Sequence, residues 1–225
     1  MEQNTQEWLE MRKKMIGSSD APIIMEMSPF KTPLKLWEEK VGISKSNFNP
    51  AMAYGHKMEP IARRLFEEEM LCTVEPKVIL HPNYDWMMAS LDGLNVDAKI
   101  AVEIKNPNAK DHNEAKLGKV PDKYYAQLQH QLEVLFALYG IDHIYYFSHH
   151  KGDVANIDVK IDTAFIEKMF IKELDFIACV RNNMPPESSP LDVLENTSQE
   201  WEELANEWIE LNSELEYLVK KEIRS

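Results

Sequence analysis

Cysteine is scarce in this 225-residue chain: Cys72 and Cys179 stand far apart and lack the spacing of metal ligands. That scarcity excludes a disulfide framework and a zinc knuckle, and it favours two reduced thiols. No apolar run approaches the ~18 residues of a membrane span, and the polar N-terminus lacks the basic and apolar regions of a secretory signal. Internal repeats and low-complexity tracts are absent as well. We expect a soluble, intracellular protein that has no membrane partner.

Positive charge is also in short supply, and the formal net charge is -13 at pH 7. The excess of negative charge is unevenly distributed along the chain: residues 187–225 hold eleven acidic and three basic residues. In the rest of the chain the basic residues cluster, first at Arg12–Lys14 and later among the four lysines between positions 110 and 123. The distribution of charge, more than its sum, decides whether a polyanion can bind. The main part of the chain is therefore compatible with a nucleic-acid partner.

The apolar pattern alternates between helical and extended periods. Helical spacing occurs in five segments: 4–16, 28–42, 54–70, 124–140 and 162–183. Five short segments bounded by turn residues predict strands: 73–80, 85–93, 99–105, 143–150 and 156–161. Asp162 is the expected N-cap of the last of these helices, and Gly140 is expected to end the one before it. Because strands and helices interleave, we predict the α/β or α+β class, with a central mixed β-sheet flanked by helices and its first three strands in a meander.

A composition change near the C-terminus predicts a separate segment. The stretch NNMPPESSP carries three prolines and two serines, which is typical of a linker. Beyond it, apolar residues alternate spacings of three and four, as in a coiled-coil seam: Trp201, Leu204, Trp208, Leu211, Leu215 and Leu218. We predict a main domain over residues 1–184, a linker over 185–190 and an amphipathic C-terminal helical extension over 191–225.

The predicted strand IAVEIK carries the strongest chemical signal. Its period of two puts Glu103 and Lys105 on one face, while Ile100, Val102 and Ile104 share the other. Asp92 is expected to end the preceding strand, so a hairpin through GLNVDAK would bring it beside Glu103. An Asp and a Glu can bind a divalent cation, and a neighbouring lysine can position an attacking water or stabilise developing charge. The trio predicts metal-dependent phosphodiester hydrolysis.

The acidic-x-Lys triplet alone is weak support, because it occurs at five further places: 38–40, 75–77, 97–99, 114–116 and 158–160. Asp158 and Lys160 lie on an alternating strand as convincing as IAVEIK, and the alternative for either strand is a charged, solvent-facing strip. The one physical reason to place the metal site at Glu103 rather than at Asp158 is the Asp-Gly hairpin that precedes the Glu103 strand.

A resemblance adds weight to this choice. The blocks WLEMRKKMIGSSD, GHKMEP, SLDG, VEIKNP and YYAQLQHQL occur in that order. Together they resemble the lambda-type phage exonucleases and their YqaJ-like recombinase relatives, within the PD-(D/E)xK nucleases. The likeness runs from about Trp8 to the end of NIDVKI and leaves the C-terminal segment outside. It implies a PD-(D/E)xK core, like that of restriction endonucleases, for the main domain.

The resemblance also implies roles for particular residues. Asp92 and Glu103 would bind the divalent ions, with the Ile104 carbonyl as a further ligand, and Lys105 would be the catalytic lysine. The further site residues would be Glu59, Gln127 and Tyr124. Arg12, Ser19 and Ser90 match a pocket for the 5' phosphate, and a guanidinium with two hydroxyls suits a terminal phosphate dianion. The chain departs from the family in reading SLD where such enzymes often read SPD, which leaves the acid in place.

The implied function is a 5' to 3' double-strand DNA exonuclease that uses Mg²⁺, with Mn²⁺ as a substitute. It would act on double-stranded DNA ends and leave a 3' overhang for a single-strand annealing protein. By the same resemblance we expect a homo-oligomer, with a toroidal trimer as one form, encoded by a phage or prophage and working in the bacterial cytoplasm.

Three alternatives stay open. An endonuclease would keep the same site, and so would a 3'-directed nuclease, although the chain lacks the cysteine quartet of an iron-sulfur relative. A non-catalytic DNA-end-binding recombination scaffold is disfavoured, because a binder needs none of the acidic pair and the lysine.

Overall fold

The structure is a computed structural model that describes residues 5–45, 50–192, 201, 203–204, 206–209 and 211–212. Its helices are α1 (Gln6–Lys14), α2 (Ala21–Ile24), α3 (Pro33–Val41), α4 (Pro50–Met70), α5 (Ala109–Lys116), α6 (Asp122–Tyr139) and α7 (Thr163–Arg181). Its strands are β1 (Ile16–Gly17), β2 (Glu75–Leu80), β3 (Met87–Asn95), β4 (Ile100–Lys105), β5 (His143–His150) and β6 (Asp153–Lys160). Short 3-10 turns cover Ser18–Asp20 and Pro190–Asp192.

The helix ends follow their sequence signals. The Asp162 side chain accepts a hydrogen bond from the Phe165 N–H at 3.0 Å, which confirms it as the N-cap of α7. Gly140 ends α6 at φ 63, a left-handed conformation that glycine adopts without a Cβ penalty. Thr5 and Thr32 cap α1 and α3 in the same way as Asp162 caps α7.

The strands form one mixed six-stranded sheet, as predicted. Strands β2, β3 and β4 pair antiparallel in a meander, β4 and β5 pair parallel, and β5 and β6 form an antiparallel hairpin. The parallel β4 and β5 need a crossover connection, which α5 and α6 supply. The two-residue β1 pairs parallel with the start of β3. The predicted fold class is confirmed.

Strand β3 is the strand around which the site forms. Strand β2 occupies one of its edges, so β1 at Met87–Met88 and β4 from Gly93 onward share the other. Among the described residues, positions 89–92 have no strand partner on that second edge. The prediction that Asp92 ends the strand is wrong, because β3 continues to Asn95. Asp92 instead lies where the ladder to β4 begins.

Both faces of the sheet are covered. On one face Leu128 and Leu132 of α6 join a large apolar cluster with Tyr146 and Ala101. On the other, α4 contributes Phe66 to a smaller cluster that contains Val102, Ile104 and Phe147. This double coverage buries nearly all of β4, including its polar Glu103, which is 3% exposed.

The chain divides into two compact units, Met1–Ser189 and Pro190–Ser225. In the second unit the described residues from 201 to 212 are helical, and Trp208 and Leu211 are exposed. Residues 191 and 192 belong to the 3-10 turn Pro190–Asp192, so the helix does not begin at residue 191 as predicted. The remainder of the predicted helix lies outside the described residues, and the predicted domain boundaries stay a prediction. Within the described part of the chain, no helix has the length and apolar content to cross a membrane.

Candidate active site

Asp92, Glu103 and Lys105 meet on adjoining strands. The register of β3 and β4 pairs Gly93 with Val102 and so puts Asp92 next to Glu103. The Asp92 Oδ2 accepts a hydrogen bond from the Ile104 N–H at 2.8 Å, and the Lys105 Nζ lies 2.5 Å from Glu103 Oε1. The acidic pair and the lysine predicted from the sequence therefore form one cluster.

Gly93 makes this close approach of strands feasible. A Cβ at that position would lie 2.5 Å from Val74 Cγ2 and 2.7 Å from Val102 Cγ1, closer than packed carbon atoms tolerate. The glycine of SLDG is thus required for packing directly beside Asp92.

Helix α6 holds the Glu103 carboxylate from above the sheet. Gln127 Nε2 donates to Glu103 Oε1 at 2.5 Å, so Oε1 accepts from both Gln127 and Lys105. Gln131 Nε2 donates to Glu103 Oε2 at 2.6 Å. The carboxylate is buried but has donors on both oxygens, which is how a buried charge is stabilised.

The electrostatics of the cluster favour a cation. Burial raises the pKa of Asp92 well above its ordinary value, and the Glu103 charge and, less strongly, Glu59 raise it further, whereas Lys105 opposes the shift. Burial lowers the pKa of Lys105, but the Glu103 and Asp92 carboxylates outweigh it, so the pKa lies above the ordinary value. Lys105 is therefore an ammonium ion, and the two carboxylates repel each other.

Glu59 reaches the cluster from α4. Its carboxylate pairs with Arg63, one turn later on the same helix. Arg63 Nε also donates to the Asp92 carbonyl at 2.8 Å. Arg63 thus connects the Glu59 carboxylate to the backbone of Asp92.

Tyr124 lies beside the lysine and makes no direct hydrogen bond to Glu103. The Lys105 Nζ is 5.6 Å from its ring centroid and the Lys123 Nζ is 5.0 Å from it, both within cation–π range. The ring stacks on Tyr146 at 5.8 Å between centroids. The Tyr124 ring therefore lies along one side of the cluster formed by Asp92, Glu103 and Lys105.

The three residues predicted to bind a phosphate lie near the start of β3. Arg12 Nη2 donates to Ser19 Oγ at 2.8 Å. Ser90 joins them through Trp8, whose Nε1 donates to Ser90 Oγ at 3.1 Å and whose ring centroid lies 4.9 Å from the Arg12 guanidinium carbon. The Arg12 side chain is 29% exposed, so it remains accessible to a ligand.

A network of ion pairs lies next to Arg12 and Ser19. Asp20 accepts from Arg12 at 2.9 Å and from Lys40 at 2.8 Å. Burial raises the Asp20 pKa, but the charges of Lys40 and Arg12 outweigh it, so the pKa lies below its usual range. Lys40 also donates to the carbonyls of Arg12 and Met15 at 2.8 and 2.7 Å. The end of α1 is therefore tied to α3 through a charged network.

The donor set suits Mg²⁺ by its chemistry. This cation takes oxygen ligands, keeps several waters and needs one or two carboxylates from the protein. Asp92 and Glu103 can supply those carboxylates, and the Ile104 carbonyl lies between Glu103 and Lys105 in the chain. In the described ranges, no group of three or more His, Cys, Asp or Glu side chains is arranged to hold a metal, so Glu59 does not complete a preformed cage. The ligand set remains a prediction.

Sequence reasoning missed several residues that contact the site, among them Trp8, Arg63 and Gln131. Each of these three lies four residues after or before a predicted residue on the same helix, beside Arg12, Glu59 and Gln127 respectively. Residues four apart share a helix face. The spacing of four from a predicted site residue was therefore the sequence signal that could have identified Trp8, Arg63 and Gln131.

Solved structures of similar proteins define the class. An alkaline exonuclease from Laribacter hongkongensis has a TM-score of 0.67 at 25% identity, and the match covers 80% of this chain and 94% of that one. The same enzyme in complex with dAMP has a TM-score of 0.66 at 25% identity over the same shares. A phage-related exonuclease from Haemophilus somnus 129PT shares the fold, with a TM-score of 0.58 at 11% identity over 75% of this chain and 96% of that one. The fold is that of the alkaline exonucleases.

The family follows from the sequence match. A model of the YqaJ-like viral recombinase domain matches residues 7–136, more than half of the chain, and the chain belongs to this family. An uncharacterised protein, YqaJ of Bacillus subtilis (strain 168), is 35% identical over 139 residues. That match covers 60% of this chain and 43% of the relative, so it spans less than half of the relative's length. The resemblance drawn from the sequence blocks is confirmed.

Proposed function

We propose that this protein is a Mg²⁺-dependent 5' to 3' exonuclease that degrades double-stranded DNA from a 5'-phosphorylated end and leaves a 3' overhang for recombination by strand annealing. The observation that carries the proposal is the joint position of two sites on β3. Asp92 of β3 lies beside Glu103 and Lys105 of β4. Ser90, one of the residues expected to bind the phosphate, lies two residues before Asp92 on β3. Hydrolysis next to a bound terminal phosphate is what an exonuclease requires.

The cluster has a residue for each chemical task. When bound to Asp92, Glu103 and the Ile104 carbonyl, the cation supplies Lewis-acid polarisation of the scissile phosphate. The Lys105 ammonium can orient the attacking water and stabilise the negative charge that develops on phosphorus-bound oxygens. Gln127 holds Glu103, and Tyr124 excludes water from one side of the lysine.

The phosphate pocket supports the proposed direction. A terminal phosphate is a dianion near neutral pH, whereas an internal phosphodiester carries one charge. Arg12 and the Ser19 and Ser90 hydroxyls offer charge-assisted hydrogen bonds to such a group. The pocket therefore favours a 5' end over an internal position.

The dAMP complex of the similar alkaline exonuclease favours stepwise cleavage over endonucleolytic cleavage. A nucleoside monophosphate is the product that an exonuclease releases, and a fold relative of this chain binds one. We further propose Mn²⁺ as a substitute cation, a homo-oligomer such as a toroidal trimer, and a single-strand annealing protein as the partner that receives the overhang.

The test is digestion of a linear duplex labelled separately at each 5' end and internally, with and without Mg²⁺. We expect early release of both 5' labels as mononucleotides, late release of the internal label, and no release without the cation. Simultaneous release of short internal fragments would identify an endonuclease, and early loss at the 3' ends would reverse the polarity. Stable binding to ends without any hydrolysis would instead identify a scaffold.

A further inference from the structure

Gln131 connects the two halves of the proposed site. Its side-chain amide donates to Glu103 Oε2 at 2.6 Å and to the Ser90 carbonyl at 3.0 Å. Ser90 carries the hydroxyl that faces the phosphate pocket, where Trp8 donates to it. One buried side chain therefore contacts both a cation-binding carboxylate and the backbone of the phosphate pocket.

The orientation of this amide is dictated by its neighbours. Both groups next to Nε2 are acceptors, so a rotated amide would point its oxygen at the Glu103 carboxylate and at the Ser90 carbonyl. The Oε1 atom is buried and has no hydrogen-bond partner among the described residues. A buried polar atom without a partner costs free energy, and here that cost accompanies two donated hydrogen bonds at the site.

The backbone of β3 explains why such a residue is needed. On the edge between β1 and β4, residues 89–92 have no strand partner among the described residues, so the carbonyls that point to this edge, those of Ser90 and Asp92, require other donors. Gln131 supplies the donor for Ser90, and Arg63 supplies the one for Asp92. Only the Gln131 amide extends this support to the Glu103 carboxylate.

We propose that Gln131 is a positioning residue that holds Glu103 in its cation-binding orientation and couples that carboxylate to the phosphate pocket at Ser90. The proposal rests on the proposed function. Occupation of the pocket and binding of the cation then reinforce each other, because a single amide restrains both sites. Residues that orient metal ligands typically affect affinity or activity by about 10- to 100-fold.

The test uses Gln131→Met and Gln131→Leu, which keep the apolar volume and remove both donors. Titration calorimetry with Mn²⁺ on the protein alone should give about 10-fold weaker binding. On a 5'-phosphorylated duplex, kcat should fall by a similar factor with little change in KM for DNA. In a double-mutant cycle with Arg12→Ala, the losses in kcat/KM should be non-additive, because the two residues act on linked sites.

Gln129 offers a matched control on the same helix. It is also fully buried, donates to the Lys160 carbonyl at 3.0 Å and accepts from the Asp162 N–H at 2.8 Å, and neither of these hydrogen bonds involves a candidate site residue. Gln129→Met should leave Mn²⁺ affinity and kcat within about two-fold of the wild type while lowering the melting temperature, as any lost buried hydrogen bond does.

The outcomes separate the inference from the function. If the wild-type protein degrades DNA and the Gln131 variants match it in Mn²⁺ affinity and in kcat, the inference is overturned and the proposed function stands. Unfolding of both Gln131 variants while Gln129→Met stays folded, or additive losses in the cycle, also overturns the inference. Wild-type protein that neither binds Mn²⁺ nor degrades DNA overturns the proposed function and the inference together.

Discussion

At the residue scale, the candidate site depends on compensated charge. Two carboxylates, the half-buried Asp92 and the buried Glu103, lie next to each other, and among the described residues Lys105 is the cation that pairs with Glu103. Such an arrangement costs folding free energy and persists where the local structure restrains it. The amide donors from α6 and the Ile104 N–H provide that restraint. Two adjacent carboxylates with one neighbouring cation are the electrostatic condition for binding a further cation.

Replacing the lysine tests its chemical role. Lys105→Ala should lower the cleavage rate by at least about 100-fold and leave DNA binding and folding largely intact, because the ammonium acts on the transition state. Single-turnover digestion and gel-shift binding measure the two properties. Lys160→Ala is the control, because Lys160 is 64% exposed and pairs only with Asp158 on β6. Loss of activity in the Lys160 variant but not in the Lys105 variant would place the catalytic lysine on β6 instead of β4.

Arg12 tests the preference for a phosphorylated end. Arg12→Ala should remove most of the rate advantage of a 5'-phosphate over a 5'-hydroxyl, since a charged hydrogen bond contributes about 1.5 to 3 kcal/mol, or roughly 10- to 100-fold. The fold should survive, because Asp20 keeps its pairing with Lys40. Rates on the two duplexes are compared with those of Lys13→Ala, whose exposed side chain pairs with Glu10. Equal losses on both ends would make Arg12 a structural residue.

At the element scale, α1, α4 and α6 each bring to the site a pair of residues that lie four apart, and α6 also brings Tyr124. The pairs are Trp8 with Arg12, Glu59 with Arg63, and Gln127 with Gln131. The sequence predicted one member of each pair, because the family motifs name single residues. The i, i+4 geometry of a helix supplies the other member. Motif residues on a helix are therefore best examined together with their neighbours one turn away.

The main elements could be predicted because their apolar periods are regular. All five predicted strands and the five predicted helices of the first unit are present, with Asp162 and Gly140 in their predicted capping roles. Three elements of the first unit could not be predicted. Helix α2 is only four residues long, Ala21–Ile24. Strand β1 is only two residues long and is defined by its pairing with β3, and α5 has almost no apolar residues of its own. The edge of β3 between β1 and β4, on which the site depends, arises from tertiary pairing and carries no local signal.

A buried ion pair between helices predicts a pH dependence of stability. His130 Nδ1 lies 2.8 Å from Glu173 on α7, and His130 Nε2 lies 3.0 Å from the Met88 carbonyl. Both partners accept, so both ring nitrogens must carry protons. Burial lowers the His130 pKa, but Glu173 and the Met88 carbonyl outweigh it, so the folded pKa lies above the ordinary value of 6.5.

A raised folded pKa gives stability that is complete below pH 6.5 and is lost as pH rises through the folded pKa of His130. Urea unfolding between pH 6 and 9 should therefore show falling stability, with a limiting slope of about 1.4 kcal/mol per pH unit for one proton. The double variant His130→Leu with Glu173→Met removes both charges and should lose this component of the slope. Identical slopes in the wild type and the double variant would contradict the assignment.

At the scale of the whole molecule, the excess negative charge and the candidate site lie in different units. Residues 187–225 hold eleven acidic and three basic residues, nearly all in the second unit, whereas every candidate site residue belongs to Met1–Ser189. An acidic segment is repelled by a polyanion such as DNA. The described residues of the second unit include exposed apolar side chains, among them Trp208 and Leu211. Exposed apolar stripes of this kind serve protein contacts more often than nucleic-acid contacts.

Truncation after Ser189 tests whether the second unit takes part in hydrolysis. The shortened protein should fold and degrade a 5'-phosphorylated duplex at a rate within about three-fold of the full chain, because the complete candidate site lies in the first unit. Circular dichroism, light scattering and digestion of labelled duplex measure folding, oligomeric state and activity.

A control truncation that ends before α7 also removes Glu173, the partner of His130, and should leave the protein unfolded. Active protein with a smaller oligomer would assign residues 190–225 to subunit contacts, and active protein with an unchanged oligomer would exclude that role and remain consistent with a separate partner. An insoluble or inactive product would contradict the prediction and make the segment part of the nuclease domain.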